Sequence, residues 1–207
     1  RRPGRDEAAA PVVMGSHLDS QPTGGKFDGA YGVLAGLEVI RTLNDHAVAT
    51  KAPIEVVSWT NEEGSRFQPP MVGSGVFADT FDLEESLAVK DLEGKTLGDE
   101  LTRIGYAGSA EVGGRPFAAY FEPHIEQGPI LEAEGKVIGV VTAAQGQRWY
   151  EVTVTGQEAH AGPPPMDARR DALVGVARMI GEVRRIGVDH APDGRSTVGF
   201  VTVHPNS

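Results

Sequence analysis

The sequence predicts an α/β fold, with a parallel-rich sheet flanked by helices, followed by a smaller α+β domain. Two observations carry this. Over residues 11–59 the chain reads strand, helix, strand, which is the unit of a parallel sheet. After residue 142 charge and texture change together, because residues 1–142 hold 12 basic and 22 acidic side chains whereas 143–207 hold 7 and 7. The expected domains are therefore 1–142 and 143–207. At 40% hydrophobic and 23% charged, the 207 residues sit near the globular norm and suffice for a domain with a core, or one and a half.

The elements follow in order. Pro11-Val12-Val13-Met14 is a short apolar run ending at Gly15-Ser16, which suits a buried strand. From Gly29 to Asn44, Val33, Leu34, Leu37, Ile40 and Leu43 recur at helical spacing, with Asp28 where an N-cap belongs. Pro53 opens a second strand, Ile54 to Trp59, that ends at Asn61-Glu62-Glu63-Gly64. Short helices joined by glycine-containing loops are expected over 71–116, and a third strand over Ala118 to Phe121. Beyond 142, Trp149 to Thr155 alternates like a half-buried strand, Leu173, Val176, Ile180 and Val183 mark a helix from about Asp167 to Arg185, and Thr197 to Val203 reads as a further strand.

Composition excludes several functions. A net charge of −10 does not suit a surface that tracks phosphates, so nucleic acid is not an expected partner. Zero cysteines remove disulfides, thiolate catalysis and sulfur-based zinc sites, leaving His, Asp and Glu for any metal. No apolar run approaches the roughly 18–20 residues that cross a bilayer, and the basic start at Arg1-Arg2 lacks the apolar stretch of a secretory signal. The expected location is the cytoplasm.

Four clusters carry chemistry. In His17-Leu18-Asp19 the two polar side chains fall on one side of a strand end, where Asp19 can fix the tautomer of His17 for metal binding or simply satisfy it. Asp28, after the slim loop Gly24-Gly25-Lys26-Phe27, either caps the helix or offers a carboxylate at the carboxyl ends of the strands, where open α/β sheets build sites. Glu62-Glu63 is a costly adjacent pair unless a cation or proton separates it, or unless both side chains are solvated. His124 ends the third strand as a ligand or a turn residue. Taken together, three parallel strands ending in His, Asp and Glu at one edge describe a zinc or manganese site by donor type.

These segments resemble a known family. Gly15-Ser16-His17-Leu18-Asp19-Ser20-Gln21, Gly25-Lys26-Phe27-Asp28-Gly29, Thr60-Asn61-Glu62-Glu63-Gly64-Ser65-Arg66-Phe67, His124-Ile125-Glu126-Gln127-Gly128-Pro129 and His160-Ala161-Gly162 with Pro165-Met166 look like the dinuclear metal amidohydrolases. That group holds N-carbamoyl-L-amino acid hydrolase, yeast-type β-ureidopropionase and allantoate amidohydrolase. The resemblance runs from about residue 12 to 204 and implies a zinc-exopeptidase-like catalytic domain plus part of a lid and dimerisation domain. It implies that His17, Asp28, Glu63 and His124 ligate two divalent ions, zinc or alternatively manganese, cobalt or nickel, with Asp28 bridging. Asp19 would orient His17, Glu62 would be the general base, and Gln127 would touch a small ureido substrate. His160 would reach the partner subunit's site in a homodimer formed through 143–207, where it would stabilise the tetrahedral intermediate.

One departure stands out. With about three protein ligands per ion and one shared, five ligands are needed and four are present. The family's fifth, a distal His, and a substrate-carboxylate Arg are expected beyond Ser207, so the chain reads as an internal portion of a longer one. The implied reaction is hydrolysis of an N-carbamoyl-L-amino acid or N-carbamoyl-β-alanine to amino acid, carbon dioxide and ammonia. The alternatives are allantoate hydrolysis, a peptidase or acylase of the same fold, or a non-catalytic dimerisation module with its acidic edge empty.

Overall fold

The structure is a computed structural model that describes residues 1–206. The chain divides into two compact units, Arg1–Val140 and Val141–Ser207.

The first unit is built on a three-stranded parallel sheet in the order β2-β1-β3, with β1 at Val12–His17, β2 at Ile54–Trp59 and β3 at Ala119–Phe121. Val12 pairs with Ile54 on one side and Ala119 on the other, and His17 lies opposite Trp59. The first strand runs past Gly15-Ser16 to His17, because its whole length lies against β2. Its residues from Val13 to His17 are all buried, as expected of the central strand of a parallel sheet.

Helix α1, Ala30–Asp45, returns the chain from β1 to β2. Apolar spacing locates this helix but not its contact face. Leu34 and Leu37 are exposed, and the buried positions are Gly32 and Gly36. A Cβ on Gly32 would stand 2.5 Å from the Pro123 carbonyl oxygen and 2.8 Å from the Ser16 side chain, so two glycines one turn apart let the helix backbone approach the sheet. Asp28 does not cap α1 either, since the N-cap is Gly29 and no side chain accepts from the first turn.

Three short helices follow, α2 at Val72–Phe77, α3 at Leu83–Ala88 and α4 at Leu97–Arg103, the last two capped by Asp82 and Thr96 side chains. Phe67, Val72 and Leu97 form their apolar core, with Val76, Val89 and Leu101 against it. A four-residue helix, α5 at Ile130–Ala133, follows β3.

In the second unit a 3-10 turn at Met166–Ala168 precedes α6, Ala172–Asp189, which starts later than the apolar spacing suggests because the Asp171 carboxylate accepts from the Val174 N–H. The strands expected over Trp149 to Thr155 and Thr197 to Val203 are not formed among the described residues. Alternation alone does not make a strand. The N–H and C=O groups of an extended segment need a neighbouring backbone, and no described segment pairs with these two.

Candidate metal centre

The parallel order of β1, β2 and β3 brings their carboxyl ends to one edge, so the residues just beyond them are neighbours in space though remote in sequence. His17 closes β1, Glu62 and Glu63 follow β2, and His124 follows β3. Asp28 lies in the loop between β1 and α1, where Gly29 adopts φ +65° and packs so tightly under His17 that a Cβ would stand 2.4 Å from the imidazole ring.

His17, Asp28 and His124 come together, each offering one ligand atom within 4.8 Å of the others. Both imidazoles are oriented by main-chain carbonyls. His17 Nδ1 lies 2.8 Å from the Asp19 oxygen and His124 Nδ1 lies 2.8 Å from the Ile125 oxygen. A carbonyl can only accept, so each Nδ1 carries a proton, which leaves Nε2 as the ring atom that can offer a lone pair to a cation. His124 Nε2 is 3.1 Å and His17 Nε2 is 3.8 Å from Asp28 Oδ1.

That carboxylate is held from one side only. Gln127 donates from Nε2 to Asp28 Oδ2 at 2.6 Å, whereas Oδ1 is buried without a hydrogen-bond donor. Two imidazole Nε2 atoms and a carboxylate oxygen drawn this close need protons or a cation among them. Tetrahedral ligands at 2.0–2.1 Å from an ion stand roughly 3.3 Å apart, between the two distances seen here. The donor types and the spacing both fit a divalent cation.

Glu62 and Glu63 belong to the same edge but are held differently. Glu62 Oε2 lies 3.5 Å from His17 Nε2. Burial pushes its carboxyl above the usual range; the Glu63, Asp19 and Glu122 carboxylates push the same way, and His17 opposes them. A carboxylate kept basic at the mouth of such a site suits proton abstraction. Glu63 is not one of the three clustered donors, and its Oε2 accepts from Gln21 Nε2 at 3.3 Å. Asp19 does not reach His17 with its carboxylate, which lies 3.9 Å from Nδ1 and accepts instead from the Glu62 and Glu63 N–H groups. His160 lies in the second unit, exposed, its Nδ1 accepting from the Gly162 N–H at 2.9 Å.

Sequence reasoning missed Glu122. Its carboxylate accepts from the buried Ser16 hydroxyl and from the Tyr120 hydroxyl at 2.9 Å, and Trp59 Nε1 donates to that hydroxyl at 2.9 Å. The chain of bonds joins the ends of all three strands. Its signal was the alternation Tyr120, Glu122, His124 along one side of an extended segment. The Glu62–Glu63 turn has its own anchors, since Asn61 at φ +52° donates to the Phe67 and Pro69 carbonyls, and Arg66 bridges Asp91 and Glu100.

The profile of peptidase family M20/M25/M40 matches residues 13–201. The chain is 57% identical over 206 residues to N-carbamoyl-L-amino-acid amidohydrolase of Rhizobium meliloti, covering 100% of this chain and 50% of that one. It is 39% identical over 198 residues to allantoate amidohydrolase of Bacillus subtilis, covering 94% and 48%. A crystal structure of an amidase of the hydantoinase/carbamoylase family from Burkholderia vietnamiensis superposes with a TM-score of 0.97 at 69% identity, covering 100% of this chain and 50% of that one. The chain thus spans about half the length of the curated relatives it matches.

Proposed function

The chain belongs to peptidase family M20/M25/M40, and from that premise we propose that it carries the metal-binding part of an amidohydrolase acting on the C–N bonds of ureido compounds. The substrate we assign is an N-carbamoyl-L-amino acid or N-carbamoyl-β-alanine, hydrolysed to amino acid, carbon dioxide and ammonia. The observation that carries the reading is the orphaned Asp28 Oδ1 facing the Nε2 atoms of His17 and His124.

His17, Asp28 and His124 would hold one divalent ion, and Asp28 and Glu63 would contribute to a second, zinc in both cases, with manganese, cobalt and nickel as alternatives. Bound there, the ions supply Lewis acidity toward the ureido carbonyl and acidify water. Glu62, kept basic by burial, takes the proton from the attacking water and delivers it to the leaving nitrogen. Gln127 meets the substrate from its place beside Asp28. His160 donates to the oxyanion, a contact worth about 3–4 kcal/mol of barrier, from the partner subunit of a homodimer formed through 143–207. A cytoplasmic location belongs to the same proposal as the ureido substrate. Separately, no helix among the described residues is long and apolar enough to cross a membrane.

The allantoate reading is favoured by the 39% identical Bacillus relative. Ammonia release from N-carbamoyl-β-alanine, an N-carbamoyl-α-amino acid and allantoate, each measured after chelation and after reloading with zinc, manganese, cobalt or nickel, separates the two. Metal-dependent turnover that prefers a carbamoyl amino acid is the expected result. Preferred turnover of allantoate would replace the substrate assignment, and turnover unaffected by chelation would remove the metal.

A further inference from the structure

Asp19 follows β1 by two residues and makes contacts of two kinds. Its main-chain oxygen accepts from His17 Nδ1 at 2.8 Å, which is enough to fix the tautomer of that ring. Its carboxylate does something else. Oδ1 accepts from the Glu62 N–H at 3.2 Å and Oδ2 from the Glu63 N–H at 3.0 Å, so one side chain reads two successive backbone donors in the turn after β2. Both bonds are charge-assisted and cross from the end of one strand to the end of the next. Gln21, two residues further on, reinforces them by donating from Nε2 to the Glu63 main-chain oxygen at 3.2 Å.

We propose that Asp19 is a positioning residue for the Glu62–Glu63 turn, its carboxylate setting where the Glu62 base stands while its main chain alone orients His17. The proposal rests on the reading of Glu62 as the base. It distinguishes two functions that a carboxylate two residues after a metal-ligating His could have. If the carboxylate oriented His17, removing it would cost metal affinity, typically 10–100-fold for a group that orients a ligand. If it positions Glu62, removing it leaves the His17, Asp28 and His124 donors in place and misplaces the proton acceptor. A displacement on the order of 1 Å costs roughly 10²-fold in rate.

The variant Asp19→Asn keeps the main-chain carbonyl but can offer only one acceptor, and its NH2 opposes the other backbone N–H. The test is calorimetric titration of the metal-free full chain with zinc, together with kcat and KM for ammonia release from the preferred carbamoyl substrate at saturating zinc. Glu62→Gln serves as the control. The expected result is an unchanged affinity for the first equivalent of zinc, an unchanged KM and a kcat lower by about 100-fold. A 10–100-fold loss of zinc affinity with kcat restored at saturating metal would overturn the proposal. So would an unchanged kcat beside an inactive Glu62→Gln, whereas an active Glu62→Gln removes the base and this proposal with it. Should Asp19→Asn not fold, Asp19→Ser, whose hydroxyl can accept from one of the two N–H groups, gives the same comparison.

Discussion

The two oxygens of the Asp28 carboxylate differ in what they meet. Oδ2 accepts from Gln127, and Oδ1 is buried without a donor. A buried acceptor left in that state costs about 1–3 kcal/mol. Asp28→Asn should therefore have opposite effects with and without metal. Its amide nitrogen can donate to a free imidazole Nε2 while its oxygen still accepts from Gln127, so the metal-free protein should melt at a higher temperature than the unsubstituted one. Zinc affinity should fall by more than the roughly 10–100-fold seen when only an orienting residue is lost. Differential scanning calorimetry with and without zinc checks both. Glu62→Gln should leave zinc stoichiometry intact and lower kcat about 10²–10⁴-fold, which metal analysis beside steady-state kinetics reads directly. The residue types at this edge were legible in the sequence. Their contacts were not: no spacing rule says that Asp28 declines to cap its helix, or that Asp19 turns its carboxylate to backbone N–H groups 43 and 44 residues away rather than to the ring beside it.

At the scale of elements, β1, α1 and β2 were legible because periods of 2 and 3.6 differ and each is bounded by turn residues. The face of α1 was not, since a stripe of Gly32 and Gly36 carries no hydrophobic signal and is read only from what a Cβ would strike. The start of this helix is tied to the site. Gly29→Ala forces a side chain into the His17 ring and into a left-handed backbone, so zinc binding should be lost, measurable by the same titration. The turn carrying Glu62 is anchored at its far end by Arg66. Arg103 and then Arg66 hold the Glu100 carboxyl down to about 2, from an ordinary 4.5. A depressed carboxyl stabilises the fold above its unfolded pKa and loses that contribution as pH falls through the folded one. Glu100→Gln should thus lower the melting temperature at pH 7, and the difference should shrink between about pH 4.5 and pH 2. An equal difference at every pH would mean that the loss is one of packing. The segments 149–155 and 197–203 show the opposite limit of sequence reading, because alternation records what a strand would bury and not whether a neighbour exists to pair with it.

At the scale of the molecule, the excess of acidic over basic residues lies wholly in 1–142, and Asp19, Asp28, Glu62 and Glu63 contribute four of those charges at one sheet edge. A fold that gathers carboxylates in this way is stabilised by whatever cation it binds, by about 2.7 kcal/mol at a free metal concentration one hundred times Kd. Family and fold were legible because the motifs lie in order along nearly the whole chain; the partners of the second unit were not. The account stands on the claim that His17, Asp28 and His124 hold a divalent cation. Crystals grown with zinc and measured at the zinc absorption edge test it most directly. The predicted anomalous peak lies within bonding distance of Nε2 of His17, Nε2 of His124 and Oδ1 of Asp28. A protein that hydrolyses a ureido substrate while its zinc peak lies away from these three atoms, or shows none, would contradict it.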